Sequence, residues 1–305
     1  MAVLGAASAA LPPQEGTRSM RKKRSLLAGL AATAALATVP WLTAPADAGA
    51  AQDRTDGKAA AVAEFGDEFD GAAGDPVDSS KWRLDPGDNE SNHELQYYTD
   101  GTSNAQLDGE GHLVVTAKRE ANGEQCWYGP CEYTSARMNT AQTFTTTYGH
   151  AEISAKITRG QGMWPAFWML GTDIGDVGWP ACGEIDVMEN VGNEPDTVHG
   201  TVHGPGYSGG EGVGASYRLP DGGDFADDFH TYAVDWSPNK ITWSVDGAEY
   251  QTLTPEDVGG EWVFDHDFYL ILNVAVGGDW PGSPDEGTEF PQEMVVDHVR
   301  VTGGE

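Results

Sequence analysis

Trp179-Pro-Ala-Cys-Gly-Glu184-Ile-Asp186-Val-Met-Glu189-Asn190 places three carboxylates within six positions, separated by Ile, Val and Met. Strand-forming residues between the acids argue for an extended chain, in which side chains alternate faces and Glu184 and Asp186 share one. Glu189 lies an odd number of steps from both, so a regular strand turns it to the other face. On a helix Glu184 and Glu189 stand about 140° apart. A one-residue bulge near Val187 or Met188 restores parity and gathers all three acids, and bulges are over-represented beside active sites.

The chain around this segment reads the same way. Helical periodicity is nearly absent after residue 60. Short β-branched and aromatic runs recur instead, at 112–118, 148–157, 166–170, 197–203, 230–236, 241–245, 268–276 and 294–301. Gly, Pro, Asn and Asp clusters separate them, including the turn Asp246-Gly247. Many short strands with polar–apolar alternation predict an all-β sandwich, each sheet with one face on the core.

Composition excludes several functions. The 305 residues carry 17 Lys+Arg against 48 Asp+Glu, a formal charge of −31. Such a surface repels phosphate backbones and anionic lipid, so neither nucleic acid nor membrane is an expected partner. With 40 Gly, 10 Trp and 10 Tyr, the chain suits a turn-rich β fold with an aromatic surface for an uncharged ligand.

The N-terminal region reads as an address. Met20-Arg-Lys-Lys-Arg24 precedes an apolar run from Leu26 to Leu42 and the small-residue stretch Ala46-Asp47-Ala48-Gly49-Ala50. That order predicts a signal peptide within 1–50, with an upstream extension before Met20, and a secreted, extracellular product. The competing reading, a membrane anchor, is opposed by Pro40 and the A-x-A ending. Residues 51–63 read as a disordered lead-in and 64–305 as one domain, with no linker to a second. Export permits disulfides. Cys126 and Cys131 bracket Trp-Tyr-Gly-Pro, where a local bridge is expected, and Cys182 is left as a small buried hydrophobe.

Two chemistries compete for the three acids. Calcium sites draw on Gly-containing, Asn/Asp-rich loops, whereas strand formers intervene here. Retaining glycoside hydrolysis needs two carboxyl groups roughly 5–5.5 Å apart, one a nucleophile and one an acid/base. Gly162-Met-Trp164-Pro-Ala-Phe-Trp168-Met-Leu170 lies just upstream. Indole faces suit the apolar C–H faces of sugar rings.

These residues resemble glycoside hydrolase family 16, in particular its bacterial endo-β-1,3-glucanases, the laminarinases. The pattern E-[ILV]-D-x-[apolar]-E reads Glu184-Ile-Asp186-Val-Met-Glu189. Supporting it are Met163-Trp-Pro-Ala-Phe-Trp168, Asn92-His-Glu-Leu-Gln-Tyr-Tyr-Thr99 and Thr134-Ser-Ala-Arg137-Met-Asn-Thr140, with Asp67-Glu-Phe-Asp70 and Val296-Asp-His-Val-Arg-Val301 at the edges. The likeness spans about residues 64–302. Met188 is the extra residue absent from the family's mixed-linkage branch, which carries E-x-D-x-E. His93 departs from the pattern, standing where many relatives carry a second Asn.

The resemblance implies a β-jelly-roll sandwich of two antiparallel curved sheets with a concave cleft. It implies Glu184 as nucleophile and Glu189 as acid/base. Asp186 between them would hydrogen-bond Glu184 and keep Glu189 protonated. Trp164, Trp168 and Trp179 would stack on sugar near the cleavage point, and Asn92 and Arg137 would bond hydroxyls. His199 and His203 share a strand face, which a zinc pair would also require; as cleft histidines, His203, beside Glu189, is the one placed to assist. Asn273 reads either as a satisfied core Asn or as a cleft contact.

The chemistry itself calls for no cofactor. One structural calcium is implied opposite the cleft, held by Glu68, the Gly111 carbonyl and Asp297. The implied partner is a β-1,3-glucan, attacked internally by a monomeric enzyme. The rivals are mixed-linkage glucan or galactan hydrolysis and a non-catalytic β-glucan-binding lectin, which lacks one or both glutamates in such relatives.

Overall fold

A computed structural model describes residues 63–121, 123–220 and 222–303. The leader and all of the lead-in except Ala63 lie outside the described residues. The strands are β1 (Ala63–Asp67), β2 (Arg83–Leu84), β3 (Gln96–Tyr98), β4 (Ala105–Leu107), β5 (Leu113–Arg119), β6 (Gln125–Cys126) and β7 (Gly129–Pro130). They continue as β8 (Tyr133–Ser135), β9 (Arg137–Asn139), β10 (Gly149–Lys156), β11 (Met163–Gly171), β12 (Glu184–Glu189) and β13 (Thr197–His203). The last six are β14 (Val213–Arg218), β15 (His230–Ser237), β16 (Lys240–Val245), β17 (Ala248–Leu253), β18 (Phe268–Val276) and β19 (Gln292–Thr302). A short α-helix, α1 (Ile174–Val177), precedes β12.

Two large sheets form the jelly-roll sandwich. One runs β17-β16-β15-β10-β19-β5-β8-β3, with β1 on β19 and β4 on β5; the other runs β14-β13-β12-β11-β18-β9-β2. The pairings are antiparallel except β3 with β8, a parallel pair at one end of the first sheet. Among the described residues, no helix is long and apolar enough to cross a membrane.

Alternation builds the core between the sheets. On β11, Met163, Phe167 and Met169 are buried in it, while Trp164 and Trp168 face the other way. Leu270, Leu272, Val274 and Val276 of β18 and Ile153, Val296, Val299 and Val301 of the opposite sheet are fully buried. Each such side chain contributes about 1.5–3 kcal/mol of burial.

The expected bulge is at Val187. Against β11, Asp186 pairs with Trp168 and Met188 with Phe167, so Val187 has no opposite residue. Against β13, Asp186 pairs with Thr201 and Glu189 with His199, three steps on one strand against two on the other. Val187 and Met188 both enter the core, which returns Glu189 to the face of Glu184 and Asp186.

The bridge Cys126–Cys131 is formed, and Cys182 is free and buried. It closes the hairpin β6–β7, in which Cys126 pairs with Gly129 around a two-residue tip.

Candidate active site

Glu184, Asp186 and Glu189 open onto one cleft of about 420 Å³. Each outer acid is held by an indole. Trp179 donates to Glu184 Oε2 at 3.0 Å and Trp164 donates to Glu189 Oε1 at 2.9 Å. His203, opposite Glu184 in the β12–β13 register, brings Nε2 to 3.2 Å from Asp186 Oδ2 and 3.7 Å from Glu184 Oε1. This corrects the placement of His203 beside Glu189. Antiparallel pairing reverses the order along β13 and sets His199, not His203, across from Glu189. The hydrogen bond expected from Asp186 to Glu184 does not use Oδ2, which is buried and faces His203.

Gathering three acids in one buried patch raises the proton affinity of each. Burial, followed by the Asp186 charge, pushes Glu184 well above the ordinary carboxylate range, with His203 and the Trp179 N–H opposing. Burial raises Asp186 to about 8. Burial, then Asp186, raises Glu189 to about 8, with the Trp164 N–H opposing. A carboxylic acid that keeps its proton near neutrality is what proton donation to a leaving oxygen requires. Both glutamates accept an indole N–H, which favours the ionised form, and Glu184 has in addition the His203 imidazole 3.7 Å away.

The cleft floor is fixed by side chains from several strands. Trp168 donates its indole N–H to Asn273 Oδ1 at 2.8 Å, and Asn273 Nδ2 donates to the Tyr98 hydroxyl at 3.2 Å. Tyr98 donates in turn to Glu94 at 3.1 Å. Asn273 is therefore both a satisfied buried residue and part of the cleft lining.

Residues 90–299 match the family model for glycosyl hydrolases family 16. The chain belongs to this family. A Beta-glucanase from Rhodothermus marinus is 44% identical over 250 residues, covering 78% of this chain and 83% of that protein. The laminarinase catalytic domain from Thermotoga maritima superposes with a TM-score of 0.75 at 46% identity, covering 80% of this chain and 99% of that one. An endo-beta-1,3-glucanase from Pyrococcus furiosus gives 0.74 at 46% identity, covering 79% and 94%.

The family 16 cleft gathers Asn92, Arg137, Trp164, Trp168 and Trp179 along its lining. Asn92 is tied to Glu94 Oε1 at 3.1 Å, and Arg137 to Asp85 at 2.6 and 2.9 Å, with its guanidinium 5.1 Å from the Tyr98 ring centre. The sequence reading missed Glu94 and Tyr98, which lie inside a segment quoted for its resemblance, and Trp280. Trp280 is exposed and meets Trp164 and His199 edge-on at 5.6 and 5.0 Å. Its signal was present in Gly277-Gly-Asp-Trp280, where glycines after a strand turn a tryptophan back over the sheet.

Glu68, Gly111 and Asp297 fall at one end of the opposite sheet. Glu68 follows β1, and Gly111 precedes β5, whose Leu113 is opposite Val296. Asp297 is the unpaired residue of a bulge on β19, between the pairs Ser154–His298 and Ala155–Val296. The Asp297 charge also acts on Glu68. Two carboxylates and a carbonyl would supply the all-oxygen kind of donor set that calcium takes. Here Arg300 holds both Glu68 oxygens at 2.7 Å and His298 meets Asp297 at 2.7 Å. Among the described residues, the acid–imidazole group with three ligand atoms within 4.8 Å of one another is Glu184, Asp186 and His203. A cation held there occupies the proposed nucleophile.

Proposed function

We propose that this chain is an exported, monomeric, endo-acting retaining hydrolase of β-1,3-glucan. The observation that carries this reading is the bulged strand β12, which sets Glu184, Asp186 and Glu189 together in a tryptophan-lined cleft. The functions of its relatives, a laminarinase and an endo-beta-1,3-glucanase, support the linkage. The acidic surface supports a neutral polysaccharide over a sulfated one. The leader-like composition of residues 1–50 supports export.

In this mechanism the Glu184 carboxylate attacks the anomeric carbon while Glu189 passes its proton to the glycosidic oxygen. The leaving chain departs and a glycosyl ester remains on Glu184. Glu189, now ionised, takes a proton from water as that water attacks the same carbon, which frees Glu184 and restores both carboxyl groups. Asp186 raises the proton affinity of Glu189 across both steps. Trp164, Trp168 and Trp179 hold sugar rings, with Asn92, Arg137 and His203 as polar partners. Glu68, the Gly111 carbonyl and Asp297 would hold a structural calcium, which supplies positive charge between strands and takes no part in the chemistry.

Chromatography of products from laminarin, lichenan and agarose tests the reading. Release of a ladder of short oligosaccharides from laminarin, with little from agarose, is the expected result. Cleavage of agarose alone, or of none of the three, overturns it.

A further inference from the structure

Three tryptophans among the described residues are strongly exposed: Trp179, Trp280 and Trp127, at 47, 44 and 41%. Trp179 lines the cleft described above, and Trp280 lies against its Trp164. Trp127 stands apart, forming with Tyr128 the tip of the disulfide-closed hairpin β6–β7. The tip is anchored from several directions. Trp127 donates its indole N–H to the Glu94 carbonyl at 2.7 Å and its backbone N–H to Asp88 at 2.8 Å. Tyr128 donates its hydroxyl to the Leu95 carbonyl at 2.7 Å. His93 and Tyr128 meet the indole edge-on at 5.0 and 5.4 Å. The polar edge of the ring is thus spent inward while much of its apolar surface is left in water.

That arrangement forgoes the stabilisation that burying the ring would bring. A tryptophan serving packing alone is turned into the core, as Trp82 and Trp243 are here. A rigid exposed indole loses little entropy when a ligand with an apolar ring face stacks on it.

Its position says which ligand. The segment that anchors Trp127 lies along the edge of β18, with Leu95 N–H donating to the Val276 carbonyl at 2.7 Å. Asn89, Ser91 and Asn92 of the same segment line the cleft. From β12, the chain passes β11 and β18 before reaching this segment, about 14 Å at ordinary strand spacing. The exposed ring is therefore carried by the segment that supplies Asn89, Ser91 and Asn92 to the cleft, on the side of β18 away from the three acids.

We infer that Trp127 is an outlying stacking platform for a glucosyl unit of the same glucan, remote from the bond that is cut. The inference rests on the substrate reading proposed above. Short oligosaccharides bound at the acids end before reaching Trp127, whereas longer chains reach it.

The test compares kcat/KM on β-1,3-linked glucohexaose and glucotriose for the wild-type chain, Trp127→Ala and Trp127→Phe. In Trp127→Ala the hexaose-to-triose ratio falls about three- to tenfold, mainly through KM on the hexaose, the range expected of one aromatic contact. Trp127→Phe restores most of the ratio. Phe229→Ala removes an exposed ring that lies against His112 and Lys156, and keeps the wild-type ratio. An unchanged ratio in Trp127→Ala, or an equal loss at both lengths with a lowered melting temperature, overturns the inference and leaves the substrate reading standing. Failure of the substrate reading shows earlier, in a wild-type chain that cuts neither oligosaccharide, and the inference then falls with it.

Discussion

Trp243 of β16, on the sheet opposite β12, donates its indole N–H to the main-chain carbonyl of Asp186 at 2.8 Å. The contact reaches through the core to the residue where β12 slips register. Gly200 on the neighbouring β13 makes room for it, since a Cβ there would lie 2.4 Å from the Trp243 ring. The bulge that gathers the acids is therefore braced from behind. Trp243→Phe is expected to lose about 1 kcal/mol of stability with the hydrogen bond, and Gly200→Ala about 1–3 kcal/mol through overpacking. Both lower kcat on laminarin more than they raise KM, as thermal denaturation and initial rates will show.

The pH profile follows from the indole on Glu189. Trp164 donates to the carboxylate and so favours its charged form, holding Glu189 at about 8 against burial and the Asp186 charge. Trp164→Phe removes the donor, so the proton stays on Glu189 to higher pH. The alkaline limb of kcat then moves upward while overall activity falls. A limb that stays in place, or moves down, contradicts the assignment of Glu189 as the acid.

Stability should respond in the opposite sense to activity. Glu189 has a folded pKa of about 8, above its unfolded value of about 4.3. Folding therefore binds a proton there. The stability this contributes is fully present below the unfolded pKa and is lost as pH rises towards 8. Glu189→Gln cannot ionise, so its melting temperature exceeds that of the wild type by a margin that widens from pH 4 to pH 8, about 2–4 °C for each kcal/mol relieved. His150, raised by Glu152 and Asp235, and Glu152, held at about 2 chiefly by His150, titrate in both proteins and cancel in the difference.

The parity of Glu184, Asp186 and Glu189 was enough to call for a bulge near Val187 or Met188, because a strand has only two faces and three acids need one of them; the structure has it at Val187. Trp164 and Trp168 were legible because a tryptophan-rich strand lies so near the three acids in the sequence. Glu94, Tyr98 and Trp280 were not, because their places depend on loops crossing the end of β18 rather than on any period along a strand. His203 was assigned to the wrong acid because sequence spacing gives the face of a strand but not the direction in which its neighbour pairs. The parallel pairing of β3 with β8 escaped notice for a similar reason: three-residue strands carry too little pattern to fix their orientation.

Calcium gives an independent check on the opposite sheet. Glu68 and Asp297 carry negative charge that Arg300 and His298 now face. Dialysis against chelator is expected to lower the melting temperature, and added calcium to restore it. Asp297→Ala should abolish that response. A melting temperature indifferent to chelator, with no metal by elemental analysis, removes the site from the account.

The central claim is that Glu184 is the nucleophile and Glu189 the acid/base, and azide rescue tests it most directly. With Glu184→Ala, azide enters from the vacated face and yields an α-glycosyl azide from an activated β-glucoside. With Glu189→Ala, azide attacks the glycosyl ester on Glu184 and yields the β-glycosyl azide. Those two products, of opposite anomeric configuration, are the predicted result. The reverse assignment of anomers, or a fully active Glu184→Ala on laminarin, would contradict it.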